Sequence, residues 1–321
     1  MSKKALKAAG FLAGTAAVAG AAAFTVTKIL VDTALDRDMP RVMKNSDNLI
    51  SGSGTDPEKI ESALKKGDEL EAMPHEDVEI TAADGIKLKG HWYHKEGDKR
   101  VVIAMHGWRS SWKKDFGTCA GFFLENDCSV LFAEQRGQNS SGGDSMGFGL
   151  VERFDCLSWI DFVKKVTSGT LPIYLAGVSM GAATVLMTAG FDLPKEVHGI
   201  IADCGFTSPY EIWRHVTERN LHLPFGLKGK MANLICKMKI DMSADEYSTV
   251  DAMKNATVPI LFIHGMDDHF VPVDMTFKNY AACKSQKRLF LVPGADHAMS
   301  YVTDRAGYER VVKNFFEDFD N

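Results

Sequence analysis

From residue 76 onward, short blocks of continuous apolar residues alternate with longer stretches in helical spacing. Arg100–Met105, Ser129–Ala133, Ile173–Ala176, His198–Asp203, Pro259–His264 and Arg288–Val292 read as strands. Between them, Trp112–Glu125, Val151–Val166, Ala182–Ala189, Asp274–Cys283 and Ser300–Phe316 read as helices. The central strand blocks are apolar at consecutive positions, not at every second one, so both of their faces are buried. That predicts an α/β protein with a mostly parallel sheet covered by helices on both sides. Ahead of these blocks, Val78–Thr81 and Ile86–His94 read as two strands joined by a turn at Asp84-Gly85.

The alternation fails once. Between the strands at His198 and Pro259 lie about fifty residues rich in Trp, His, Met and Lys. Ile212–Val216 and Leu227–Met238 have amphipathic helical spacing, separated by Leu223-Pro224-Phe225-Gly226. An insertion at that point overhangs the carboxyl ends of the strands, where open α/β sheets bind ligands. Residues 206–256 therefore read as a helical cap inserted before a strand.

Upstream of residue 76 the pattern differs. Lys3, Lys4 and Lys7 precede an uncharged run, Ala8–Thr27, of bilayer-spanning length but rich in Ala and Gly. Three readings fit residues 1–31: a signal anchor with its lysine end in the cytoplasm, a cleavable signal peptide, or a helix that packs on the domain. Membrane attachment through this segment is the expectation, with the catalytic domain on the far side; a secreted or cytoplasmic protein is the alternative. Residues 32–75 are polar and read as a connector, with a flexible break at Ser51-Gly52-Ser53-Gly54 and a short charged helix opening at Asp56-Pro57-Glu58. Residues 76–321 form the main domain.

Composition narrows the function. The chain is 45% apolar with a net charge of −5, and it has no basic block of the kind that binds nucleic acid. Six cysteines without a C-x-x-C pair read as buried free thiols. No metal-ligand spacing and no Walker-type phosphate loop is present, so neither a metal nor a cofactor is expected.

The chemistry centres on Leu171–Gly190. The apolar strand there runs into Gly177-Val178-Ser179-Met180-Gly181, followed at once by a small-residue helix. A G-x-S-x-G sequence between a buried strand and a helix predicts a sharp turn that lifts the serine hydroxyl above the sheet edge. A side chain at either glycine would collide there. A serine needs a base, and the base needs an orienting acid. His264–Pro272 follows one strand and carries Asp267 and Asp268; Val292–His297 follows the last strand and carries His297. Both emerge at the carboxyl edge, in the order serine, acid, histidine.

With these pieces in place the chain resembles the α/β-hydrolase superfamily, most closely its prolyl-oligopeptidase-like and serine-aminopeptidase-like branch with small bacterial esterases. The resemblance runs from residue 76 to the C-terminus and rests on His106-Gly107, Gly177–Gly181, the H-G-x-x-D-x-x-V-P stretch His264–Pro272, and Gly294-Ala295-Asp296-His297. It implies Ser179 as nucleophile, His297 as base and Asp268 as acid, with Asp267 as runner-up and Asp203 as an outside candidate. It implies an oxyanion hole made by the backbone N–H groups of Met180 and Trp108. His106 would brace the oxyanion loop, and Arg136, in Glu134-Gln135-Arg136-Gly137, would hold its own loop. Trp108, Trp213 and Phe225 are the expected pocket residues. The implied activity is hydrolysis of a carboxylic ester of a small acyl substrate through an acyl-enzyme. The alternatives are peptide or amide cleavage, acyl transfer by the same residues, and a non-catalytic membrane-tethered binding protein.

Overall fold

The structure is a computed structural model that describes residues 20–44 and 57–320. Eight strands make one sheet: β1 (Glu76–Thr81), β2 (Lys87–Tyr93), β3 (Arg100–Met105), β4 (Cys128–Ala133), β5 (Ile173–Val178), β6 (Val197–Asp203), β7 (Ile260–Gly265) and β8 (Lys287–Val292). Their order is β1-β2-β4-β3-β5-β6-β7-β8. β2 runs antiparallel to both of its neighbours, and every pair from β4 to β8 is parallel. Strands β3, β4, β5 and β7 are buried at every residue. This is why their sequences show no alternation.

The helices, in chain order, are α1 (residues 20–35), α2 (Pro57–Glu71), α3 (Trp112–Phe116), α4 (Ala120–Glu125), α5 (Glu152–Val166), α6 (Met180–Thr188), α7 (Pro209–His215), α8 (Gly226–Ile240), α9 (Thr249–Met253), α10 (Val273–Ala282), α11 (Ser300–Thr303) and α12 (Arg305–Phe319). One face of the sheet is covered by a core that includes Trp159, Ile160, Val185 and Leu186. The other face is covered by Phe116, Phe123, Phe315 and Phe316.

Two stretches expected as single helices are divided. The first breaks after Phe116, where Gly117 lies against the backbone of Gly67 in α2, and any Cβ at either glycine would meet main-chain atoms. Helix α2 is thereby seated on the domain. Its Leu70 is buried and the Leu70 carbonyl accepts a 2.9 Å bond from the Tyr93 hydroxyl. The second breaks at Asp304, whose carboxylate caps the following helix by accepting from Gly307 N. Neither break has a periodicity signal, because one depends on a distant backbone and the other on a side-chain cap.

A third core sits over the carboxyl ends of the strands. It joins Val31 and Leu35 of α1 to Phe148, Met180, Phe206, Ile212 and Ile235. The cap consists of α7, a π-turn at Val216–Asn220, and α8. It lies between β6 and β7, as the broken alternation predicts. Residues 8–19 of the apolar run and the Ser51–Gly54 break lie outside the described residues. Among the described residues no helix is long and apolar enough to cross a membrane.

The end of α1 is tied down on several sides. The Arg109 guanidinium donates to the Thr33 carbonyl at 2.9 Å, filling an acceptor that a helix end leaves open, and to the Arg37 carbonyl just beyond it at 3.0 Å. Lys239 of α8 pairs with Asp32 and Asp36. Arg37 donates to Ser141 O at 2.7 Å, and Met146 N donates to Leu35 O at 2.7 Å. The N-terminal helix thus touches the loops at 108–109 and 141–146 and the cap.

Candidate active site

Strand β5 ends at Val178 and α6 begins at Met180, so Ser179 makes the turn alone. Its backbone has φ 55° and ψ −114°, a positive φ that costs a non-glycine residue strain. The strain is held by neighbours on both sides. Ser179 N donates to Asp203 O at 2.9 Å, and Ala183 N donates back to Ser179 O at 3.0 Å. Gly177 faces the backbone of Gly181, and Gly181 faces the carbonyl of Met105 in β3. The first glycine is required across the turn, as the sequence predicts. The second is required by the adjacent strand.

Three side chains then form a hydrogen-bonded line. Ser179 Oγ is 2.9 Å from His297 Nε2, and His297 Nδ1 is 2.7 Å from Asp268 Oδ2. Asp268 Oδ1 accepts from the backbone N–H groups of Phe270 and Val271 at 2.9 and 2.8 Å. The carboxylate is therefore oriented before it meets the histidine. His264 supports it from behind: its Nε2 lies 2.8 Å from Val271 O and 3.2 Å from Asp268 Oδ2, and its Nδ1 lies 2.7 Å from the Thr276 hydroxyl. The Phe270 ring packs edge-on against His297 at 4.9 Å.

The electrostatics follow from burial and charge. Burial alone would raise the Asp268 carboxyl, but the His297 charge and hydrogen bonds from His264 and His297 outweigh it and hold Asp268 well below the usual carboxylate range. For His297 burial works against the imidazolium, and the Asp268 charge overcomes it, so its pKa lies well above the ordinary value. Cys204, buried at the end of β6, lies beside this pair; its thiol, His297 and Asp268 have donor atoms within 4.8 Å of one another. Burial pushes that thiol up to about 11.

The other residues singled out in the sequence have these surroundings. Asp267 is exposed, with its N–H bonded to Ala295 O. Asp203 accepts from Ser300 Oγ at 2.9 Å, and burial raises its carboxyl to about 6. Gly107 lies so close that a Cβ there would be 3.4 Å from Ser179 Cβ, and its N–H is taken by Asp115 Oδ2 at 2.6 Å. Trp108 follows it, and its indole N–H donates to Ala34 O at 2.9 Å. Met180 is the first residue of α6, where an N–H has no intrahelical acceptor. His106 is buried, with Nδ1 2.8 Å from Gly107 O and Nε2 accepting from Gln135 N at 3.1 Å. Arg136 joins Asp155 and Asp84, at 2.6 and 2.7 Å. Trp108, Trp213 and Phe225 all line one apolar cavity between the cap and α1, with about 660 Å³ of empty space, part of it open to solvent.

Asp115, Gln135 and Cys204 were not found from the sequence. Asp115 sits inside a helical stretch, and Gln135 and Cys204 carry no spacing signal; each reaches the site only through the fold.

Residues 148–320 match the prolyl oligopeptidase family. The chain belongs to that family. Among curated relatives, the YqkD protein of Bacillus subtilis is 27% identical over 271 residues, covering 83% of this chain and 88% of its own length. The YfhR protein of Escherichia coli K12 is 27% identical over 241 residues, covering 72% and 76%. Among solved structures, the esterase Pf2001 of Pyrococcus furiosus is similar with a TM-score of 0.63 and 22% identity, over 79% of this chain and 96% of that one. A dienelactone hydrolase from Anabaena variabilis is similar with a TM-score of 0.55 and 16% identity, over 77% and 99%. The fold of this family member is that of the α/β hydrolases, as the resemblance implies.

Proposed function

We propose that this member of the prolyl oligopeptidase family is a serine hydrolase that cleaves carboxylic esters with an apolar acyl or alkyl group. The observation that carries the reading is the line Ser179–His297–Asp268 with Ser179 on its strained turn. In this reaction His297 Nε2 takes the Ser179 proton as Oγ attacks the ester carbonyl. The Asp268 carboxylate stabilises the imidazolium. The developing oxyanion is held by the N–H groups of Met180 and Trp108. His297 then protonates the departing alcohol, and water attacks the acyl-enzyme with His297 again as base.

The substrate class rests on the cavity. Its walls are almost wholly apolar and reach the reactive line at Phe270, whose ring packs against His297. The similar solved proteins include an esterase and a dienelactone hydrolase. A fluorophosphonate probe should label Ser179, and a panel of chromogenic esters of increasing acyl length should outrun aminoacyl amides. Trp213→Ala should reorder the panel by roughly 10- to 200-fold, the range one apolar contact commands, with little effect on the acetyl ester. Absence of labelling, or amides cleaved faster than every ester, would overturn the ester reading.

We further propose that the protein docks on a membrane through residues 8–27 and the outer face of α8. That face exposes Leu227, Leu234 and Met238 at helical spacing, with Lys230 and Lys237 exposed beside them. Flotation of the full chain with vesicles containing anionic lipid is the expected result. Recovery in the vesicle-free fraction would refute it.

A further inference from the structure

Well away from Ser179 in the chain, at the β1 edge of the sheet, three potential ligands meet on one face. Asp77 and His91 are direct cross-strand partners. His75 lies just before β1, and its ring meets that of His91 edge-on at 5.4 Å. Asp77 Oδ1 is 2.8 Å from His91 Nδ1 and 3.4 Å from His75 Nε2.

Each ring is committed at its other nitrogen. His75 Nδ1 lies 2.9 Å from Met73 O, which can only accept, so Nδ1 donates there and Nε2 is the nitrogen turned toward Asp77. His91 Nε2 lies 3.1 Å from the buried Glu134 carboxylate, so Nδ1 is the nitrogen turned toward Asp77. One nitrogen of each ring and a carboxylate oxygen therefore lie within 4.8 Å of one another, a spacing that a single ion can bridge. Imidazoles whose remote N–H is held by a carbonyl or a carboxylate are the usual form in which proteins present histidine to a metal. The rings are also fixed in place. His75 stacks on Tyr93 at 4.8 Å, and His91 lies 4.3 Å from Trp112. The Asp77 side chain is 78% exposed, so the cluster is open to solvent on one side.

We propose that His75 Nε2, His91 Nδ1 and the Asp77 carboxylate bind a zinc-like divalent transition metal, with water completing the coordination and Glu134 fixing the His91 ring. The ion would tie the β1–β2 edge to the loop that begins at Glu134. The sequence has no compact ligand spacing here, because strand register brings residue 91 to residues 75 and 77. The competing occupant of the same point is a proton on His91, shared between Asp77 and Glu134.

Calorimetric titration of zinc into the chelator-treated full chain separates the two. The expected result is a saturable site that is lost in His75→Ala and in His91→Ala and weakened about tenfold or more in Glu134→Gln. Ester turnover should be unchanged in all three variants. Asp77→Asn, at an exposed position, should weaken binding and tests the site if a histidine variant fails to fold. Cys204→Ser should leave the site intact, which separates it from the Cys204–Asp268–His297 cluster. Zinc binding that is absent from the wild type, unchanged in His91→Ala and Asp77→Asn, or lost in Cys204→Ser would overturn the proposal. So would a His91 ring that stays doubly protonated by NMR under excess zinc.

Discussion

Ser179→Ala is expected to lower ester turnover by about 10⁴- to 10⁶-fold and leave the fold unchanged. The nucleophile and its base act as one unit, so removing either forfeits most of the rate that both supply. His297→Ala should be equally severe. Alanine keeps the Cβ and the strained φ at position 179, and the backbone bonds to Asp203 and Ala183 do not use the hydroxyl. Circular dichroism and thermal unfolding should therefore match the wild type, while kcat/KM and fluorophosphonate labelling collapse. More than about a tenth of wild-type turnover surviving in Ser179→Ala would remove Ser179 from the reaction.

Asp268→Asn should cost about 10³- to 10⁴-fold in kcat and should also move the pH profile. The base must be neutral to accept the serine proton, so the rate rises as pH climbs through the folded-state pKa of His297. The Asp268 charge holds that pKa up. Removing the charge lowers it, and the acid limb of the profile shifts to lower pH even as the plateau falls. An asparagine carbonyl can still accept from Phe270 N and Val271 N, which preserves the loop. Its amide, however, would face His264 Nε2 and His297 Nδ1, where the carboxylate now accepts. Asp267→Asn should be silent, since that side chain is exposed. Damage from Asp267→Asn with a mild Asp268→Asn would reverse the assignment of the acid.

How much of this was legible in the sequence depends on the range of the interaction. The strands and most helices were readable because burial on two faces, or on one stripe, imprints a local period. Gly177–Gly181 was readable because a one-residue turn between a buried strand and a helix permits few residue types. The cap was readable as the place where the alternation stops. The choice between Asp267 and Asp268 was different: from the residues alone both carboxylates emerge from β7, and only the resemblance ranked them. The fold buries one against His297 and leaves the other in solvent.

The rest required the tertiary structure. That α2 would seat on the domain depends on two glycines fifty positions apart approaching backbone to backbone. That α1 would wall the cavity depends on Trp108 and Arg109 of one loop and Lys239 of the cap reaching its last turn from two separate segments. Cys204 meets His297, and His91 meets His75 and Asp77, only because strand order and register superimpose distant positions. A chain by itself determines what each short segment can bury and how sharply it can turn. Which side chains then share a few ångströms of space is set by long-range packing, because contacts between distant segments leave no period along the chain.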